Sequence, residues 1–289
     1  MSRRRPPTVH GFLVVDKPAG MTSHDCVARI RRRLGERRVG HAGTLDPDAT
    51  GVLLVGVGNA TRLLTFLVGH DKRYIADVVL GVETSTLDAA GEVTARHDMS
   101  SVTIDDIRRV VSAHLVGNIM QVPPMVSAIK VDGRRLHELA REGIEVERAP
   151  RPVTVHRFEV EQTAEPGVVH LDVTCSSGTY VRSLAADLGT LLGGGAHVRS
   201  LRRLASGGFT VDEAADPDHA ELRPARDAVR GMTEVTVDDE TAAMVRHGRV
   251  LPRWEGEGPW AVLDTAGELL AVYESFGAET AKPAVVISV

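Results

Sequence analysis

Cysteine is almost missing from this chain: Cys26 and Cys175 are its two thiols in 289 residues. They make no disulfide framework, so a cross-linked secreted scaffold is excluded, and both are expected to be small core residues of a reduced, cytoplasmic protein. Aromatic residues are scarce as well, with two Trp, three Tyr and five Phe. No apolar run approaches the roughly 20 residues that span a bilayer, so no membrane association is implied. Phe12–Val15, behind Arg3–Arg5 and Pro6-Pro7, is too short for a signal peptide. The twelve His and two Cys fall into no H-x-x-x-H or C-x-x-C spacing, so no metal is expected. No internal repeat is visible.

What is present is an ordinary globular composition, 43% hydrophobic and 25% charged, long enough for about two domains. The net charge of −5 is unevenly spread. Residues 1–73 hold 13 Lys and Arg against 6 Asp and Glu (net +7), and the remainder holds 21 against 33 (net −12). A basic region on an acidic protein is a candidate footprint for a polyanion; a solvated helix face is the plainer explanation. The arginines concentrate at 29, 31, 32, 33, 37 and 38, more than complementing a helix C-terminus requires.

That run leads into Gly40–Leu53, GHAGTLDPDATGVL, around which the chain is organised. Three glycines and Pro47 break any regular period, which predicts a tight, shaped loop holding Asp46-Pro47-Asp48, with His41 upstream. The apolar residues Val52–Val57 predict a buried strand that anchors it. An acid on a loop fixed to core structure is a common catalytic arrangement, although Asp is also a preferred turn residue.

Gly11–Asp16 reads as a strand, and Thr22 or Ser23 caps a helix ending at Gly35. Asn59 is the expected cap of a short helix carrying Leu63, Leu64 and Leu67. Tyr74–Leu80 reads as a strand. Thr103 and Asp106 have capping-box spacing for a helix over Ile104–Val116. Further helices are expected over Arg135–Glu142 and after Arg182. Strands are expected over Val153–Glu161, Val168–Cys175 and Val198–Leu204. A boundary near residue 232 divides a first domain, 1–232, from a β-rich module, 233–289, with one helix at Asp239–His247 and a closing strand at Ala284–Val289. The module has no catalytic candidate, so its removal is expected to leave activity on a small substrate measurable.

Asp46 admits more than one chemistry. Asp46-Pro-Asp48-Ala-Thr50 fits the D-x-D-x-T pattern of an aspartyl-phosphate phosphohydrolase, with Asp238-Asp239 as a later acid pair. That fold needs an apolar strand running into the first Asp, whereas here the strand follows it, and magnesium sites favour clustered acids over arginines. A non-catalytic RNA-binding or RNA-folding protein would leave the loop idle. A glycosidase-like hydrolase would use a second carboxylate to activate water.

The loop resembles the catalytic motif of the TruB family, the tRNA pseudouridine-55 synthases. VVDKPAGMTSHD, DKRYIADVVLG, QVPPMVSAIKVDGRRLHELAREG, RPVTVHRFE, CSSGTYVRSLAADLG and GGAHVRSLRRL also resemble family segments and follow the family's order across roughly residues 11–210. The resemblance implies an α+β pseudouridine synthase fold, with a mixed, largely antiparallel sheet and a small C-terminal β-rich PUA-like module, residues 233–289, that binds RNA. It implies isomerisation of uridine 55 in the tRNA T loop by an aspartate nucleophile acting on an extruded base. Nothing is added or removed, so no cofactor is implied. The partner is tRNA through its T-arm stem-loop, with no protein partner, and the chain is expected to be monomeric.

By the same resemblance Asp46 matches the catalytic aspartate and Arg182 its pairing arginine. Tyr74 matches the tyrosine that stacks on the target base, Tyr180 a second pocket tyrosine, and Leu201 the residue packed against the base. His41 matches a histidine that stacks in RNA recognition. Arg29–Arg38 and Arg199–Arg203 are the expected rim for phosphates.

Overall fold

A computed structural model describes residues 6–127, 129–131 and 133–287. Arg3–Arg5, Ala128 and Asp132 of the VSAIKVD stretch, and Ser288-Val289 of the closing strand lie outside the described residues. The fold is α+β. Strands β1 (Gly11–Lys17), β2 (Val39–Ala42) and β3 (Thr50–Val57) accompany helix α1 (Ser23–Leu34). Helix α2 (Leu64–Val68) leads to β4 (Lys72–Leu80) and the hairpin of β5 (Val82–Thr84) and β6 (Val93–Arg96). Helix α3 (Ile104–His114) precedes β7 (Gly117–Gln121), the hairpin of β8 (Lys130–Val131) and β9 (Arg134–Arg135), and helix α4 (Leu136–Arg141). Strands β10 (Arg151–Gln162) and β11 (Val168–Cys175) are followed by helix α5 (Val181–Leu191) and strand β12 (Ala196–Ser206). After β13 (Phe209–Thr210) and an irregular stretch come β14 (Thr233–Thr236), helix α6 (Asp239–Arg246) and β15 (Leu251–Pro252). Strands β16 (Trp260–Leu263), β17 (Leu269–Ser275) and β18 (Thr280–Val286) close the chain.

The chain divides into two compact units. One comprises Met1–Pro47, Gly51–Gly69 and Ser206–Val289; the other comprises Asp48–Thr50 and His70–Ala205.

In the first unit β3 is antiparallel to β1, from Gly11↔Val57 to Lys17↔Gly51, and also to β2. The apolar runs of β1 and β3 carry no in–out alternation because both faces are covered. Leu13, Val15, Leu53 and Val55 pack on Cys26, Val27 and Ile30 of α1. That helix forms where its caps dictate: Thr22 and Asp25 bond reciprocally at the start, and Gly35 ends it at φ 64°. On the other face Phe12, Val14, Val52 and Leu54 share one core with Leu63 and Leu67 and with Leu263, Leu269, Val272, Val285 and Ile287. The C-terminal strands, ordered β14-β16-β17-β18-β15, bury a second cluster on Trp260, Tyr273, Ala242 and Val245. In the irregular stretch before them, Arg223 and Arg230 converge on the carboxylate of Glu213.

The second unit is a sheet in the order β12-β4-β11-β10-β7. The pairs β4–β11, β11–β10 and β10–β7 are antiparallel, with Tyr74 opposite Val173 and Lys72 opposite Cys175. The period of two on β4 buries Lys72, Tyr74, Ala76 and Val78 on one face. On the other, Arg73 pairs with Asp172, and Asp77 with His170 and Ser200. The Thr103–Asp106 capping box opens α3 as its spacing predicts. Cys26 lies in the first unit and Cys175 in the second, both as buried free thiols.

The sequence reading is corrected at three places. Gly40–Ala42 is strand, so the shaped loop runs over residues 43–49. Asn59 is not a helix cap: residues Gly58–Leu63 form a 3-10 turn without a side-chain cap, and the Asn59 amide oxygen accepts from Arg38 instead. The β5–β6 hairpin is an addition that local pattern does not announce.

Candidate active site

Asp46 is half-buried in the loop between β2 and β3. Gly43 turns the chain at φ 82°, a conformation that favours glycine, and Gly51 re-enters the strand at φ 104°. Each neighbour of Asp46 is held by a buried polar side chain. Before it, the backbone N–H of Leu45 donates to Ser23 Oγ at 2.9 Å, and Ser23 Oγ donates back to the Leu45 carbonyl at 3.2 Å. After it, the Pro47 carbonyl accepts from Lys17 Nζ at 2.8 Å. Lys17 is fully buried at the end of β1, and its ammonium also donates to the carbonyls of Pro18 and Met21. A buried charge survives when it is hydrogen-bonded, so the DKPAG turn and the Asp46 loop are fastened through one cation. His41 on β2 meets His24 of α1 edge-on, with ring centroids 5.3 Å apart. Asp48 is exposed.

In the second unit Tyr74 is buried on β4. Tyr180 occupies the N-cap position of α5, where its backbone is gripped from both sides by one amide. Its N–H donates to Gln121 Oε1 at 2.8 Å, and its carbonyl accepts from Gln121 Nε2 at 3.0 Å. Arg182, two residues on, is 3% exposed and not a surface arginine. Its guanidinium donates to the carbonyls of Thr86 (2.9 Å) and Val126 (2.8 Å) and lies 3.4 Å from Asp88. Leu87, between Thr86 and Asp88, has φ 62°, the left-handed conformation that costs a branched residue about 1–2 kcal/mol. The Val198 N–H of β12 donates to the Leu87 carbonyl and the Val198 carbonyl accepts from the Ala89 N–H, a parallel bridge opposite Asp88 that holds the strained turn under Arg182. Leu201 is half-buried on β12.

The basic run behaves differently from its sequence reading. Arg31 and Arg33 donate to the carbonyls of Val39 and Ala220, and Arg29 pairs with Asp218, so these three are ties within the first unit. Arg199 is paired with Glu165, Arg202 donates to Thr50, and Arg203 is buried. Arg38 donates to Asn59 and Thr61, and Arg32 and Arg37 are exposed. Sequence offers Ser23 only as an alternative cap of α1, a place that Thr22 takes, and points to no role for Lys17, Asp88 or Gln121; a lysine after the apolar run of β1 is the one available signal.

Comparison with known proteins follows the chain nearly end to end. The profile of the TruB family pseudouridylate synthase N-terminal domain matches residues 31–181. That of the tRNA pseudouridylate synthase B C-terminal domain matches 182–225, and that of tRNA pseudouridine synthase II, C terminal, matches 232–288. A tRNA pseudouridine synthase B of Rhodococcus jostii (strain RHA1) is 47% identical over 291 residues, 96% of this chain and 95% of that protein. One of Cutibacterium acnes (strain DSM 16379 / KPA171202) is 49% identical over 276 residues, 91% and 92% of the two chains. Among solved structures, an H/ACA ribonucleoprotein bound to a substrate RNA containing 2′-deoxyuridine has a chain with TM-score 0.70 and 26% identity. The match covers 96% of this chain and 85% of that one. A Cbf5–Nop10–Gar1 complex matches at 0.70 and 27%, covering 96% and 83%. Fold and relatives together define an isomerase with the pseudouridine synthase fold. Within that class the chain belongs to the TruB family.

Proposed function

We propose that the chain isomerises uridine 55 in the T loop of tRNA to pseudouridine, in the cytoplasm and as a monomer. The observation that carries this reading is the run of family profiles through residues 31–288, with all six candidate site residues inside them. In the reaction the C1′–N1 bond breaks, the uracil turns, and a C5–C1′ bond forms; the proton leaving C5 is balanced by one gained at N1. Asp46 is the nucleophile. His41, Tyr74, Tyr180, Arg182 and Leu201 bind the extruded nucleotide, and residues 233–289 act as a PUA-like RNA-binding module. The chemistry asks for a carboxylate that does not wander, and the bonds on Leu45 and Pro47 supply that restraint. The test is incubation with an unmodified T-arm hairpin in EDTA. Pseudouridine at the loop uridine is expected; free uracil as the product would favour the glycosidase chemistry instead.

Tyr74 gives a finer check. Tyr74→Phe is expected to leave RNA affinity unchanged and to slow the proton-dependent step by up to about 10²-fold. Tyr74→Ala is expected to lose affinity as well, by the roughly 1–3 kcal/mol of one base–aromatic stack. Wild-type rates and affinities in both variants would place the ring outside the reaction.

Phosphate binding is tested on Arg32 and Arg37, since Arg31 and Arg33 are structural. Each guanidinium that pairs with a phosphate and is removed in the double Ala variant is expected to reduce the slope of log K against log salt by about 0.7–0.9. The rate on saturating RNA should hardly move. A slope equal to wild type would assign both side chains to solvent.

A further inference from the structure

We propose that Ser23 is a positioning residue for the reaction: it sets the Asp46 carboxylate by gripping both backbone groups of Leu45. The proposal rests on the reading that Asp46 is the reacting group.

Ser23 stands at the first position of α1, immediately after the N-cap Thr22. The cap is already made: Thr22 Oγ1 accepts from the N–H of Asp25, and Asp25 accepts in turn from the N–H of Thr22. Serine at such a helix start ordinarily faces water or serves the helix. Ser23 does neither, being 1% exposed and turned to a residue 22 positions later. Its hydroxyl accepts from one group of Leu45 and donates to the other. One hydroxyl thus completes both main-chain bonds of the residue whose next peptide carries Asp46.

The geometry suits orientation more than bulk stability. Leu45 is itself buried at 4% exposure, so the loop is anchored by packing as well. The hydroxyl adds the orientation of the 45–46 peptide, which packing of the Leu45 side chain leaves free to rotate. Lys17 holds the far side at Pro47, so Ser23 and Lys17 fix the main chain on either side of the aspartate, and loss of Ser23 leaves the nearer peptides without these two bonds. A misplacement of about 1 Å costs on the order of 10²-fold in a positioned reaction. Ser23 belongs to helix α1, whose register is set by its capping box and by burial of Cys26, Val27 and Ile30. The aspartate's aim is therefore referred to a rigid element, not to the loop's own flexibility.

The test compares Ser23→Ala, Ser23→Thr and Ser23→Cys with wild type and Asp46→Asn on a T-arm hairpin, measuring single-turnover rate, RNA affinity and thermal unfolding. Ala is expected to slow the bound-state reaction by about 10- to 100-fold, with RNA affinity within about twofold. Thr, which keeps the hydroxyl, is expected to restore most of the rate. Cys, of similar size but a poor hydrogen-bond partner, is expected to behave like Ala, and it decides the matter if Ala does not fold. A wild-type rate in a folded Ala or Cys variant would overturn the proposal, as would a loss confined to RNA affinity. An active Asp46→Asn would instead overturn the reading on which it rests, so the two failures are separable.

Discussion

Replacing Asp46 by Asn is expected to abolish isomerisation while leaving RNA binding nearly unchanged. The amide has almost the shape of the carboxylate, so the bonds on Leu45 and Pro47 persist, but it is a very poor nucleophile. The loss should exceed the 10²–10⁴-fold typical of removing a general acid or base. Asp48→Asn, two residues on at an exposed position, is the control and should cost little. Pseudouridine formation is scored on a T-arm hairpin in single-turnover conditions. Turnover of Asp46→Asn within tenfold of wild type would remove Asp46 from the chemistry. Equal damage from Asp48→Asn would reopen the phosphohydrolase pattern.

Cutting the chain after Met232 is expected to prevent folding of the first unit altogether, the opposite of what sequence suggests for a dispensable tail. Leu263, Leu269, Val272, Val285 and Ile287 belong to the same core as Phe12, Val14, Leu54, Leu63 and Leu67. Full burial of a large aliphatic side chain contributes about 1.5–3 kcal/mol, so five contribute on the order of 10 kcal/mol. The entire stability of a domain is about 5–15 kcal/mol. Removing them also strips one face of β1 and β3, leaving an apolar patch that favours association. Residues 1–232 should therefore be insoluble or lack a cooperative transition by circular dichroism, and should not modify even the hairpin. A soluble fragment with a sharp transition would show that this face finds other cover.

Those two outcomes mark where sequence is informative and where it is not. The caps of α1 and α3, the apolar strands and the Asp46 segment are written in neighbouring residues, and they are found where local pattern places them. Gly40 and Gly43 hid the strand β2, because a glycine breaks a pattern even where, as at Gly40 opposite Gly56, it pairs in a sheet. Arg31 and Arg33 looked like a polyanion surface because nothing nearby in sequence announces that their partners are the carbonyls of Val39 and Ala220. The work of Ser23, Gln121 and Asp88 was illegible for the same reason: each bonds a residue 22 to 94 positions away. The shared core of the tail was hidden too, since the unbroken apolar runs of β1 and β3 announce cover on both faces but not which distant segment supplies it.

The two thiols offer a use that has nothing to do with RNA. Cys26 is packed in the first unit and Cys175 in the second, each shielded from solvent. Burial raises the pKa of both, that of Cys175 to about 11. A thiol reacts as its thiolate and only when a reagent can reach it, so the native chain carries two silent labels, one per unit. Brief pulses of an alkylating reagent during chemical or thermal stress, followed by peptide mass measurement, therefore time the opening of each unit separately in a single unmodified sample. The same silence lets a cysteine placed at any exposed position carry a fluorophore or cross-linker without first removing the natural ones.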